Sequence, residues 1–136
     1  MLVKELRGNF LVPINVPYIP AATGAAGGGS VALPNNFQIV SASMVWGAAI
    51  TGTVTNFFTI SFFNRIAGAG TVQWATAIAY SSGVNAAKAT PIALTLSSTA
   101  SELQPAAGDV LSVEITSTLT GLICPGGTLQ LTGRWR

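Results

Sequence analysis

The run Leu111-Ser112-Val113-Glu114-Ile115-Thr116, followed by Leu129-Gln130-Leu131-Thr132-Gly133-Arg134-Trp135, decides the fold class. In the first, Leu111, Val113 and Ile115 alternate with Ser112, Glu114 and Thr116. In the second, Leu129, Leu131 and Trp135 alternate with Gln130, Thr132 and Arg134. A period of two places one apolar face against a core and one polar face outward, the signature of a half-buried strand.

The same reading extends upstream. Phe37 to Trp46, Asn56 to Asn64 and Thr71 to Tyr80 all alternate, with Phe58, Ile60 and Phe62 on one face and Val72, Trp74, Ile78 and Tyr80 on another. Ile92, Leu94 and Leu96 alternate with Ala93, Thr95 and Ser97. At the start, Phe10, Val12, Ile14, Val16 and Tyr18 share a side. Pro13 and Pro17 on the other side place this strand at an edge, because proline has no N–H to give a ladder. Gly47 to Gly52, Gly68 to Gly70, Pro105 to Asp109 and Cys124 to Gly127 read as punctuation. Ala21 to Ser30 is Gly-rich and without periodicity, so it is expected to be a flexible loop. Ser98 to Gln104 offers a single helical turn. The expected architecture is all-β, an antiparallel sandwich of about seven or eight strands over residues 9–136, preceded by an N-terminal arm at residues 1–8. Alternation alone does not separate a jelly roll from another Greek-key order.

Charge is the unusual quantity. Charged residues make up 7% of the 136 residues, against about 25% in ordinary domains. Between Gly8 and Gly133 the charges are Arg65, Lys88, Glu102, Asp109 and Glu114; the other five are Lys4, Glu5, Arg7, Arg134 and Arg136. Such a surface suits cover by neighbours, since the buried centres of interfaces are poor in Lys, Glu and Asp. The net charge of +2 comes from the ends. Basic residues do not cluster on the domain, so no nucleic-acid partner is expected. Polar residues, glycines and prolines break every apolar stretch before 18 residues, so no helical membrane span is expected. An outer-membrane barrel would need export and aromatic girdles. Residues 1–7 lack the apolar run of a signal peptide, and the single Cys124 cannot close an internal disulfide.

The chain has no histidine, which removes the usual base for a Ser or Cys nucleophile and the commonest zinc ligand. Asp109 and Glu114 sit five apart, on opposite faces and roughly 16 Å apart along a strand, too far for a glycosidase pair. Glu102 with Asp109 is open to geometry, although Gly108-Asp109 reads as turn chemistry. Gly24 to Ser30 lacks the Lys of a phosphate loop. Cys124 has no base to activate it. No catalytic, cofactor or metal residues are therefore assigned. Trp46, Trp74 and Trp135 either form a sugar-stacking platform or pack in the core, and the register of Trp74 favours burial.

Pro105-Ala-Ala-Gly-Asp-Val-Leu-Ser-Val-Glu114, followed by Cys124-Pro-Gly-Gly-Thr-Leu-Gln-Leu131, resembles small structural proteins of tailed-bacteriophage particles, over a stretch from about Phe37 to the end. The resemblance implies a jelly-roll-like sandwich that decorates or cements a capsid, commonly as a homotrimer bridging subunits of the major capsid protein. It also implies residence on the virion surface after synthesis in the host cytoplasm. Lys4 and Arg7 in the arm, and Arg134, Trp135 and Arg136 at the end, are the expected contacts with capsid or neighbouring subunit, Trp and Arg being favoured interface anchors. The bland alternative is that both ends fray. Two other functions stay open: a carbohydrate-binding sandwich, which needs an exposed Trp or Tyr beside Asn or Asp, and a phage tail or neck component.

Overall fold

The computed structural model describes residues 8–66 and 69–136. Eight strands form two four-stranded antiparallel sheets: β1 (Phe10–Ile19), β8 (Cys124–Trp135), β3 (Phe37–Trp46) and β6 (Ile92–Ala93) in that order, and β2 (Ala26–Ala32), β7 (Val110–Thr118), β4 (Phe57–Ile66) and β5 (Ala69–Ala79) in the other. Strands 1 and 8, 2 and 7, 3 and 6, and 4 and 5 pair, as in one long hairpin rolled on itself. The lateral pairs β8–β3 and β7–β4 close the roll. This is the jelly-roll order, and the expected all-β sandwich stands.

The inward faces follow the sequence alternation. Phe58, Ile60 and Phe62 of β4 meet Leu111, Val113 and Ile115 of β7, and Ile14, Val16, Leu129 and Leu131 cover them from the other sheet, all buried. At one end of the core Trp46 donates its indole N–H to the Tyr80 hydroxyl at 2.7 Å, and both rings lie edge-on to each other at 5.6 Å. That bond satisfies two buried polar groups with one contact. Trp74 is also fully buried, 5.4 Å from Phe62.

Three local readings need correction. The Gly-rich run is not a loop throughout: from Ala26 it is strand β2, in register with β7 from Ala26↔Thr116 to Ala32↔Val110. The glycines are there for close approach. A Cβ on Gly28 would overlap the Val113 carbonyl oxygen, and one on Gly29 the Asn15 carbonyl oxygen of β1. Second, Tyr18 is 61% exposed while Ile19 is buried, so the phase of β1 flips after Val16. Opposite this flip Gly126 has φ of 76°, outside the range of a pleated strand, and β8 changes phase there too. The Cys124 to Gly127 punctuation is therefore the irregular start of β8. Third, Ile92 to Ser97 is not one strand. Leu94 N–H bonds Ala42 of β3, whereas Thr76 and Ser97 N–H groups join the next residues to β5, so the chain crosses from one sheet to the other.

That crossing closes one open edge of the sandwich; the contact of Gly29 with β1 closes the opposite one. The expected helical turn is a 3-10 turn at Ala100–Leu103. Val40 is the extra residue of a bulge in β3, between Ile39↔Gly133 and Ser41↔Thr132.

Candidate interaction surfaces

Because strands alternate in direction, both termini fall at one end of the sandwich, with the β2–β3 and β6–β7 connections. Phe10 pairs with Gly133 there. Trp135 is half-buried, its ring 4.9 Å from Phe10 and 5.3 Å from Phe37. Gly133 faces inward without a side chain, in space that Phe37 fills. Arg136 donates from Nε to the Phe37 carbonyl at 3.2 Å and from Nη1 to Gln104 Oε1 at 3.2 Å, while its backbone N–H bonds Asn36 O at 3.0 Å. The C-terminus is thus a fastened strand and not a frayed end. Of the expected contact residues, Arg134 and Arg136 are exposed, and Arg134 lies opposite Gln38 on the outer face. Trp135 and Arg136 are engaged mainly within the fold. Lys4 and Arg7 lie outside the described residues.

Each described carboxylate has a structural partner. Asp109, buried at the start of β7, accepts from Asn64 Nδ2 and from the Ala106 N–H, both at 2.9 Å, and so fixes the turn that Gly108 makes with φ of 87°. Glu114 pairs with Arg65, whose guanidinium lies 4.8 Å over the Phe63 ring. Glu102 accepts from the Ser97 hydroxyl beside the 3-10 turn. Among the described residues no three metal-ligating side chains converge. Cys124 is buried 3.6 Å from the Pro17 carbonyl, and burial pushes its thiol pKa up, which keeps it protonated and unreactive.

The two outer faces differ in charge. On the β2-β7-β4-β5 sheet, Arg65 and Glu114 form an ion pair in the middle of a Ser- and Thr-rich surface. The outer face of the β1-β8-β3-β6 sheet consists of cross-strand rows: Leu11, Thr132 and Ser41; Pro13, Gln130, Ser43 and Ala93; Asn15, Thr128 and Val45. Arg134, at its edge, is its one charge among the described residues. A shallow groove of about 380 Å³ runs along β2 over Gly28, between Ser30 and Glu114. It is floored by backbone where the glycines lack side chains. Among the aromatic residues Tyr18 alone is exposed, since Trp46 and Trp74 are in the core and Trp135 is half-covered. The alternation could find the outward faces, but the exposure of Tyr18 depends on the pleat reversal opposite Gly126.

No protein-family model matches the chain, and no curated protein or solved structure matches it.

Proposed function

We propose that this protein is a non-enzymatic virion component that decorates and stabilises a bacteriophage capsid, as a homotrimer bridging subunits of the major capsid protein. The observation that carries the reading is the outer face of the β1-β8-β3-β6 sheet, which has Arg134 at its edge as its one charge among the described residues and exposes Leu11 and Pro13 among Ser, Thr and Gln side chains. Such a face suits close packing, where hydroxyl and amide groups exchange hydrogen bonds and no ion needs desolvation. Two further points support it: the resemblance carried by Pro105 to Glu114 and Cys124 to Leu131, and the jelly-roll order, which recurs in viral capsid domains. The same fold hosts lectins, so the fold alone does not choose between them. The carbohydrate reading is less well served, because its platform would have to be Tyr18 and not a tryptophan.

Function then arises from multivalency. In a trimer, engagement of one subunit raises the local concentration of the other two at their sites, so weak contacts sum to firm attachment. The test is the copy number of this protein relative to the major capsid protein in purified particles from its source. Decoration requires on the order of hundreds of copies; a handful would indicate tail or neck, and absence would refute the virion role.

A further inference from the structure

We infer that the outer face of the β1-β8-β3-β6 sheet is the surface by which copies of this chain associate, so that it is turned toward the other subunits of the oligomer. The inference rests on the self-association in the proposed function and assigns it a face.

Charge selects the occupant. Across Pro13, Gln130 and Ser43, which are neighbours in register, there is no ionisable group, and Arg134 stands at the border. A partner bearing carboxylates or ammonium groups would lose their hydration here and find almost nothing to pair with. The same face on a second copy brings no such group to its centre. The opposite sheet lacks that property, since the Arg65–Glu114 pair lies on its outer side and would be stripped of water by any flat neighbour.

Area agrees. Strands β1, β8 and β3 have 10, 12 and 10 residues. At about 3.3 Å per residue and 4.8 Å between strands, the face measures roughly 30 Å by 15 Å. Three such faces turned to a common threefold axis cover roughly 1,300 Å² in all, above the size at which specific association begins. Exposed Leu11 and Val40 lie on this face, in rows next to Thr132.

The test uses the purified full chain and two matched pairs of cross-strand neighbours. Ser43→Lys with Gln130→Lys places two ammonium groups at the centre of the proposed interface; Thr59→Lys with Thr116→Lys does the same on the other outer face. Light scattering of the wild type is expected to give about three times the 13.9 kDa chain mass. The first pair should lower this threefold, to the monomer, with an unchanged far-ultraviolet circular dichroism spectrum; the second should leave it unaltered. Should the first double variant unfold, Gln130→Lys alone must still shift the oligomer toward monomer. A persistent oligomer in the folded first variant, or equal dispersal by both pairs, overturns the assignment. A monomeric wild type that is nevertheless abundant on particles overturns it too, the capsid then covering the face, while the virion role stands. An oligomer dispersed only by the first pair, from a protein absent from particles, supports the assignment and removes the virion role.

Discussion

Replacing Gly29 with alanine tests the most consequential local feature, the packing of β2 against β1. In a flexible loop, Gly→Ala stabilises by about 0.4–1 kcal/mol, because alanine restricts the unfolded chain. In the structure the new Cβ would overlap the Asn15 carbonyl oxygen, with Ile14 Cγ2 a further 3.3 Å neighbour. An overlap with backbone is not relieved by a rotamer change, so one strand must move. Overpacking of this kind costs about 1–3 kcal/mol, and any β2–β7 hydrogen bond loosened by the shift adds about 1 kcal/mol. The expected destabilisation is about 3 kcal/mol, a large part of the 5–15 kcal/mol that holds a typical domain. Urea unfolding followed by tryptophan fluorescence would register it: with a slope near 1.5 kcal/mol/M, the midpoint falls by about 2 M. Gly27→Ala is the internal comparison. Its Cβ meets the Ile19 Cδ1 methyl at 2.9 Å, the far end of a mobile side chain, so it should cost distinctly less. A Gly29→Ala midpoint equal to or above that of the wild type would refute the close-packed strand and restore the loop.

Three further outcomes follow from the core and its turns. Tyr80→Phe should lose about 1–3 kcal/mol, because it strands the buried Trp46 indole N–H, which now donates to the hydroxyl; urea midpoints read the loss. Asp109→Ala should cost a similar 1–3 kcal/mol by removing the acceptor of both Asn64 Nδ2 and the Ala106 N–H, with faster amide exchange at Ala106 as its local sign. Alkali should destabilise the fold. Burial raises the pKa of Cys124 above its ordinary 9.0 and, despite the opposing Trp46 hydrogen bond, that of Tyr80 above 10.0, so the unfolded chain releases these protons first. Stability from these groups is complete below the unfolded values and declines as pH rises through them toward the folded ones, and Tyr80→Phe with Cys124→Ala should flatten that decline.

Strands whose side chains could report their own periodicity were legible in the sequence. Phe37 to Trp46 is β3 to the residue, and the inward set Phe58, Ile60 and Phe62 is the one expected. The failures have three separate causes. β2 has glycine where alternation would be read, and a residue without a side chain carries no sign of which way it faces. The Ile92 to Ser97 run alternates well, but its hydrogen bonds pass from β3 to β5, and partner choice leaves no mark on the pattern. Tyr18 keeps the parity of Val16 in sequence and loses it in space, because Gly126 on the partner strand breaks the pleat. Of the contact residues, Arg134 was legible as outward-facing from the alternation of β8. The engagement of Arg136 with Asn36 and Gln104 depends on loops that the sequence places far apart.

The topology gives the sparse charges a spatial order. An eight-strand roll sends every odd strand one way and every even strand back, so residues distant in sequence collect at the same end. Asp109 and Arg136 meet the β2–β3 connection at the end that holds the termini, as the bonds from Leu33 N–H to Asp109 O and from Arg136 N–H to Asn36 O show. The far end exposes Tyr18, Val54, Val84, Leu119 and Ile123, with Lys88 beside the end of β3, where Ala89 N–H bonds Trp46 O. Charge at the ends and its near absence from the broad face have different consequences. Charged groups at an end keep their water when neighbours pack side by side, whereas the same groups on the face would have to give it up. With charges at its ends and almost none on this face, the chain has the geometry that the proposed lateral association requires.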